Sequence, residues 1–425
     1  MKKKILILAG SYQHCKLVKA AKELGLYTIV TDNIKNSPAK RIADQQLDID
    51  VFDVNAIVEF CRREKVDAVL STHLEASQRT YQKVCELLNL PCYCNEMQSQ
   101  IMTDKEKFKQ FCREHNVDTI PAYSVEAAKR GDPENTIEYP VLVKPARSRG
   151  SRGQSVCNNL EELRAGIAKA EKESWNGNAL IEKYMAGYRD FAVSYLFVNG
   201  EGYVTRTTDR YLGSPNFGLN SVTIGTASPS CFTKKYMENV HPRVVNMFKA
   251  MGITNGPVFM QGFIDGDTVR FYDPGLRFPG SEYDVMFIKL TKVDIIKMLV
   301  NYAVTGLMKP DFGEVHNQMM MLGGKQTFTL CPTVRQGTIA SINGIDEIAS
   351  FPEVETYAIR SGVGEVIPPN GDTNNRLGEF DLIANDFEEI GTAIRRIQKT
   401  LSVLDTDGTE MLVNPLDFSL VRIKE

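Results

Sequence analysis

A short basic loop, rich in glycine and serine, follows a predicted buried strand near residue 144. The aliphatic run of that strand ends at Lys144 and Pro145, so a cation stands where the loop begins. Glycines allow backbone N–H groups to approach an oxyanion closely, and serine hydroxyls add further donors. The composition therefore favours phosphate binding, although a hairpin turn with solvated arginines also fits, and the Walker pattern is absent. The loop residues are Arg147, Ser148, Arg149, Gly150, Ser151, Arg152 and Gly153.

The thiols and the charge balance exclude several classes of function. The nine cysteines show no metal-ligand spacing, which is typical of free thiols packed in a reducing cytosol. The net charge of −3 gives no indication of a nucleic-acid partner. No apolar run approaches the roughly 18 residues that span a bilayer, and the basic start of the chain leads into a strand and a turn rather than a signal peptide. We therefore expect a soluble, cytoplasmic protein with no nucleic-acid and no membrane partner.

The first hundred residues alternate between predicted strands and helices, which is typical of a parallel, doubly wound sheet. The crevice of such a sheet lies at the carboxyl ends of its strands, where Gly10, Asp32 and the segment from Ser71 to Glu75 occur. The first turn lacks the G-x-G-x-x-G pattern, so a nicotinamide cofactor is not expected. The predicted strands are Lys4–Leu8, Tyr27–Thr31 and Ala68–Ser71, and the predicted helices are Cys15–Leu24, Asn55–Lys65 and Ala76–Leu88.

Beyond a boundary near residues 91–97, strands and helices mix, and the pattern becomes β-rich after about residue 325. Thr103 is predicted to cap the helix Lys105–His115, with Glu106 at the capping-box position. The other predicted helices are Glu161–Lys172, Pro242–Met251 and Phe387–Leu401, and the predicted strands are Tyr139–Lys144, Ser155–Cys157, Asn178–Tyr184, Phe191–Asn199, Tyr203–Thr207, Gly256–Phe263 and Thr268–Tyr272.

Four separated motifs, taken in order, resemble the ATP-grasp superfamily, in particular biotin carboxylase, the large subunit of carbamoyl-phosphate synthase and the L-amino-acid ligases. They are TDK at 103–105, KP with its loop at 144–153, ALIEKYM at 179–185 and GPVFMQGFIDGDTVRFYDPGLRFPGS at 256–281. The resemblance covers essentially the whole chain and implies a mixed α/β and α+β fold in three parts. These are a Rossmann-like pre-ATP-grasp domain at 1–100, an ATP-grasp domain at 101–305 with a lid subdomain at about 120–185, and a β-rich C-terminal domain at 306–425.

The resemblance implies an ATP site built mainly on the first three motifs. Lys105 and Lys144 would neutralise phosphates, and the loop that ends at Gly153 would close over them as a lid. Glu182 and the hinge backbone after it would bind the adenine, while Asp190 would lie against the ribose unless it forms a surface turn. The implied nucleotide-binding residues are Lys105, Lys144, Ser148, Gly150, Ser151, Gly153, Glu182, Lys183, Tyr184, Met185, Asp190, Arg210 and Phe263.

The fourth motif resembles the family's site for Mg²⁺ or Mn²⁺, with departures. Gln261 and Asp273 stand 12 residues apart at the first two ligand positions, and Gly275 stands where relatives carry an asparagine. Because Mg²⁺ commonly uses one or two carboxylates together with substrate phosphates and waters, one acid and one amide would suffice for a nucleotide-bound ion. The missing third ligand leaves open a protein that binds nucleotide without turnover.

The implied reaction joins a small-molecule carboxylate to an amine or similar nucleophile through an acyl phosphate, releasing ADP and phosphate. Arg277 and Lys144 would act in catalysis, because cations at this point stabilise the charge that develops during phosphoryl transfer. Glu75, Arg277 and Arg335 would contact the substrate. Activation of bicarbonate or formate is the alternative within the superfamily. Because relatives are often dimers, the resemblance also implies a homodimer.

Overall fold

The computed structural model describes residues 2–131, 137–146, 153–174, 177–214, 222–280, 283–309, 315–369, 373–418 and 421. Within this part of the chain, no helix is both long enough and apolar enough to cross a membrane.

The N-terminal segment forms a four-stranded parallel sheet flanked by helices. The strand order β3-β2-β1-β4 confirms the predicted doubly wound arrangement. The prediction missed α2, β3 and α5, because a five-residue helix, a three-residue strand and a seven-residue helix are too short to show a clear period. The elements are β1 (Lys4–Leu8), α1 (His14–Glu23), β2 (Tyr27–Thr31), α2 (Pro38–Ile42), β3 (Gln45–Leu47), α3 (Val54–Glu64), β4 (Ala68–Leu70), α4 (Gln78–Leu88) and α5 (Glu96–Met102).

A small antiparallel sheet of order β5-β8-β6-β7 follows. Its apolar core consists mainly of Val141, Val143, Leu163 and Ile167. The segment contains α6 (Lys105–Glu114), β5 (Ala122–Tyr123), α7 (Val125–Arg130), β6 (Val141–Pro145), β7 (Ser155–Cys157), α8 (Leu160–Glu173) and β8 (Ala179–Lys183).

The cap of α6 differs from the prediction. Asp104, not Thr103, is the N-cap: its carboxylate accepts from the N–H groups of Glu106 and Lys107 at 3.1 and 3.2 Å. The Thr103 hydroxyl instead donates to the carbonyl of Ser99 at 2.7 Å, one turn back in α5. The Asp104 carboxylate is preferred to the Thr103 hydroxyl as the cap, because a charged acceptor is favoured at the positive end of the helix dipole.

An eight-stranded antiparallel sheet of order β13-β12-β9-β10-β11-β14-β19-β17 is the largest element of the fold. It contains strands on both sides of residue 305, so the division into 1–100, 101–305 and 306–425 stays a prediction. The remaining elements are β9 (Asp190–Val198), β10 (Glu201–Leu212), β11 (Thr223–Ser228), α9 (Thr233–Lys235), α10 (His241–Ala250), β12 (Gly256–Asp265), β13 (Thr268–Gly275), α11 (Tyr283–Thr291), α12 (Ile295–Thr305), β14 (Gln326–Leu330), β15 (Thr333–Val334), β16 (Gly337–Asn343), α13 (Ile345–Ala349), β17 (Val354–Ile359), β18 (Val366–Ile367), β19 (Gly378–Ala384), α14 (Phe387–Thr400), β20 (Ser402–Asp405) and β21 (Leu412–Val413).

The two faces of this sheet differ in character. Residues directly opposite each other on paired strands point to the same face, and alternate residues along a strand do too. One face is apolar and contributes Phe191, Val193, Phe328 and Leu382 to the cores. The other, which we call the polar face, is largely buried yet polar, a combination that needs paired partners or a ligand. It includes Asp190, Arg206, Arg210, Thr226, Ser228, Gln261, Asp273, Thr329, Glu379 and Asp381.

Candidate functional site

A buried carboxylate bridges two lysines next to the polar face. Glu182 on β8 is 3% exposed; one of its oxygens lies 2.7 Å from the Lys144 ammonium on β6, and the other bonds to the Lys109 ammonium on α6. Burial opposes the charge of Glu182, but the two ammonium groups lower its pKa overall. Burial, followed by the repulsion of Lys144, lowers the pKa of Lys109 despite its bond to Glu182. The prediction missed Lys109, although its i+4 spacing from Lys105 places both on one helix face.

Lys105 lies at the other end of this group of charges. Its ammonium is 2.8 Å from a carboxylate oxygen of Asp273, and the Asp273 carboxylate raises the pKa of Lys105 although burial acts against it. Gln261 lies directly opposite Asp273 in the β12–β13 register, so the spacing of 12 residues does bring the two candidate metal ligands together.

This donor set fits a magnesium nucleotide. The site has a net charge of +1, because two carboxylates, Glu182 and Asp273, face three ammonium groups. The ammonium groups are those of Lys105, Lys109 and Lys144. The described residues contain no group of three or more His, Cys, Asp or Glu side chains that could enclose a metal ion. Gln261 and Asp273 would therefore hold Mg²⁺ only together with oxygens of a bound phosphate chain, which is common for this ion.

Asp190 and Arg210 form one pair rather than two separate contacts. They are opposite each other on β9 and β10, and one guanidinium nitrogen of Arg210 lies 3.0 and 2.8 Å from the two carboxylate oxygens. That nitrogen also lies 3.1 Å from the hydroxyl of Tyr272, whose ring stacks on Phe263 at 5.1 Å. Burial raises the pKa of Asp190 to about 6 even though Arg210 opposes this shift. The stacked rings lie beside the pair and offer an apolar surface to a planar group.

The hinge residues after Glu182 are already engaged through their backbones. The N–H groups of Lys183 and Tyr184 donate to the carbonyls of Pro121 and Pro140 at 2.9 and 3.0 Å, and the side chain of Met185 is buried. A base bound here would therefore have to be recognised by other atoms of the hinge than these two N–H groups.

Arg277 lies beside Glu75. Its guanidinium is 3.6 Å from the Glu75 carboxylate and rests 5.3 Å from the centre of the Phe259 ring. Its buried Nε has no hydrogen-bond partner among the described residues, so this donor can serve a ligand. Gly275 provides the space: a Cβ atom there would lie 3.1 and 3.2 Å from Cγ and Nε of Arg277.

Two predicted contributions to the site are not seen in contact with it. Three loop residues, Ser148, Gly150 and Ser151, lie outside the described residues. Gly153, where the description resumes, has a φ of +74°, and an added Cβ would lie 2.7 Å from Cγ of Pro145, so this position needs glycine. Arg335 donates to Asp405 at 2.6 Å and to the carbonyl of Glu410 at 3.1 Å, so its bonds are with the C-terminal strands.

Two family models match this chain. Residues 104–257 match the carbamoyl-phosphate synthase L chain, ATP binding domain, and residues 5–76 match the PylC-like N-terminal domain. The first match contains the three lysines, Glu182, Asp190 and Arg210.

Several known proteins resemble this chain in sequence or in fold. The 2-oxoglutarate carboxylase small subunit of Hydrogenobacter thermophilus is 30% identical over 207 residues, which are 44% of this chain and 43% of that protein. The chain therefore spans less than half the length of this curated relative. The L-amino acid ligase of Bacillus licheniformis superposes over 95% of this chain and 99% of its own, with a TM-score of 0.76 at 18% identity.

A second solved structure adds a bound nucleotide to the comparison. The biotin carboxylase domain of the Hydrogenobacter enzyme, solved with MgADP and bicarbonate, covers 97% of this chain and 91% of its own, with a TM-score of 0.73 at 20% identity. At these identities the two superpositions establish the fold, and the family models identify the ATP-binding segment. Residues 104–257 therefore match an ATP-binding family model, and the fold of the chain is that of the ATP-grasp ligases.

Proposed function

We propose that the protein is an ATP-dependent ligase that joins a carboxylate to an amine through an acyl phosphate. The carrying observation is the convergence of Lys105, Lys109 and Lys144 on the side of the sheet where Gln261 and Asp273 stand as neighbours. The matched ATP-binding segment and the similarity in fold to an L-amino acid ligase support it.

The proposed reaction has two displacements. A carboxylate oxygen of the first substrate attacks the γ-phosphorus of ATP, the bond to the bridging oxygen breaks, and ADP leaves. The amine nitrogen then attacks the carbonyl carbon, the carbon–oxygen bond to the phosphoryl group breaks, and phosphate leaves. Of the two protons lost by the ammonium group, one goes to the phosphate and one to solvent.

The side chains contribute by charge and position rather than by covalent chemistry. Lys105 and Lys144 would neutralise the phosphate chain. Arg277 would stabilise the group in transfer through its Nε donor, which has no partner within the described part of the chain. Magnesium, held by Gln261 and Asp273, would supply further neutralisation of phosphate charge.

Activation of bicarbonate is the second candidate, because the similar Hydrogenobacter domain was solved with that anion. Phosphate release from MgATP across a panel of amino acids, small acids and bicarbonate with ammonia separates the two. We expect stimulation by a carboxylate together with an amine. Stimulation by bicarbonate with ammonia alone would favour the second candidate, and nucleotide binding with no stimulated turnover would contradict both.

The metal assignment has its own test. We expect Asp273→Asn to abolish magnesium-dependent turnover, because it removes the carboxylate of the proposed ligand pair. Asp267→Asn is the matched control, since Asp267 is exposed beyond the end of β12. Full activity of Asp273→Asn would place the metal elsewhere.

A further inference from the structure

Three thiols meet at the connection between α4 and α5. The sulfur of Cys92 lies 3.9 Å from that of Cys94, and Cys85 on α4 also hydrogen-bonds to Cys92. All three thiols are free. Cys85 and Cys94 are buried, at 0% and 6% exposed, whereas Cys92 is partly exposed. We call Cys92 and Cys94 the thiol pair.

The thiol pair is close to the geometry of a disulfide. Its two sulfurs must approach from 3.9 Å to about 2.05 Å. Only Tyr93 separates the two cysteines, and the chain bends there, so their α-carbons are closer than the roughly 7 Å of a fully extended segment. A disulfide spans α-carbons about 4.4–6.8 Å apart. The bond therefore needs a local movement rather than a change of fold.

The surroundings give the two thiols different roles. Hydrogen bonds with Cys85 and Cys94 lower the pKa of Cys92, although burial opposes this shift. The bond to Cys92, followed by burial, raises the pKa of Cys94. Because the thiolate is the nucleophile in thiol–disulfide exchange, Cys92 is suited to attack first, and it is also the more exposed of the pair. Cys94 would react only within the chain, so it needs no exposure.

Tyr93, between the two thiols, connects them to the candidate site. Its hydroxyl donates to the carbonyl of Ser71 and lies 3.2 Å from the carbonyl of Leu276, the residue before Arg277. Its side chain is 4% exposed and packs over Gly256, where an added Cβ would lie 2.7 Å from it. Because the ring is enclosed, a change in the backbone of Tyr93 would be transmitted to its hydroxyl.

We propose that the thiol pair is a site of reversible oxidation by a low-molecular-weight disulfide, and that the Cys92–Cys94 bond moves the Tyr93 hydroxyl away from Leu276. The Cys92 thiolate attacks one sulfur of the oxidant, the S–S bond of the oxidant breaks, and one thiolate leaves. The Cys94 thiol then loses its proton to solvent and its sulfur attacks that of Cys92, so that the mixed disulfide breaks and the second thiolate leaves. Two protein thiols are thereby oxidised, and one disulfide is reduced to two thiols.

The effect of this oxidation on activity rests on the proposed ligase function. Arg277 would stabilise the group in transfer, and Leu276 precedes it directly. Loss of the contact between Tyr93 and Leu276 would leave Arg277 less firmly positioned. We therefore expect the oxidised protein to release phosphate several-fold more slowly than the reduced protein, and dithiothreitol to restore the rate.

Oxidised glutathione is the probe for the oxidation itself. The full-length protein is incubated with it, the remaining thiols are alkylated, and mass spectrometry of proteolytic peptides records which cysteines are bonded. We expect an internal disulfide between residues 92 and 94 that dithiothreitol reverses. Hydrogen exchange of residues 274–279 should be faster in the oxidised protein, and this measurement does not depend on catalysis.

Variants assign the two sulfurs. Cys94→Ser should stop at a mixed disulfide of glutathione with Cys92, because the second thiol is absent, and Cys92→Ser should form neither product. Cys85→Ser should still form the internal bond. Cys231→Ser is the matched control and should be oxidised like the wild type, because Cys231 is another partly exposed thiol, whose sulfur bonds to Arg189. The thermal midpoint of each reduced variant establishes that it is folded, and the wild-type measurements stand without the variants.

Three results would overturn the inference: Cys92 and Cys94 stay reduced while other thiols of the wild type are oxidised, folded Cys94→Ser still forms an internal disulfide, or oxidation leaves the hydrogen exchange of residues 274–279 unchanged. Faster exchange with an unchanged rate of phosphate release would instead contradict the role of Arg277 in the proposed ligase reaction. The oxidation site would in that case still be supported.

Discussion

At the scale of single residues, Lys144 carries the clearest prediction. We expect Lys144→Ala to weaken MgADP binding by about tenfold or more, because a charge-assisted contact contributes about 1.5–3 kcal/mol. Lys107→Ala is the control, since Lys107 lies exposed on α6 and its ammonium donates to Gln100 at 3.4 Å rather than to a group of the site. Calorimetry on both variants checks this, and equal affinity would remove the phosphate role of Lys144.

Asp190 predicts a pH dependence. Its native pKa of about 6 lies above its ordinary value near 3.8, so between these values the native state binds more protons than the unfolded state. The contribution of Asp190 to the free energy of unfolding therefore falls as pH rises from about 4 to 6, by up to a few kcal/mol, and is constant above that. Burial of His14 lowers its pKa to about 4, which gives the opposite slope over a similar range.

Comparison with Asp190→Asn isolates the effect, because the His14 contribution is common to both proteins. We expect the stability of the wild type relative to Asp190→Asn to decrease between pH 4 and 6 in urea titrations. A pH-independent difference would show that Asp190 titrates normally.

At the scale of elements, a helix cap connects stability to the site. Asp104 caps the helix that bears Lys105 and Lys109, so Asp104→Ala should cost about 1 kcal/mol of stability and also weaken nucleotide binding. The side chain of Asn159 caps α8 in the same way, because it accepts from the N–H of Glu162 at 3.0 Å. Asn159→Ala should therefore cost a similar amount of stability without changing the nucleotide affinity. Denaturant titrations measure the stability of both variants, and MgADP titrations measure their nucleotide affinity. Equal nucleotide affinities of Asp104→Ala and Asn159→Ala would contradict this prediction.

The same elements show what local sequence can predict. Strands with clear aliphatic runs, such as β1 and β2, have the predicted bounds, and the spacing of Gln261 from Asp273 places them opposite each other. The contact between Lys109 and Glu182 joins residues 73 positions apart, and the polar face joins the seven strands that run from β13 to β19 in the order of the sheet. Such pairings depend on the order of the strands across the whole sheet. The hydrophobic period of a single strand does not specify which other strands lie beside it.

At the scale of the whole molecule, the large sheet makes the N-terminal three-quarters dependent on the rest. Strand β11 pairs with β14 about one hundred residues later, and Ile224 and Ala227 pack in a core with Phe328, Phe380 and Leu382. A fragment of residues 1–305 would leave β11 as an open edge with an uncovered apolar face. We expect this fragment to lack a cooperative thermal transition, and addition of fragment 306–425 to restore one together with MgADP binding. Cooperative unfolding and nucleotide binding by fragment 1–305 alone would instead show that the predicted boundary at 305 separates independent domains.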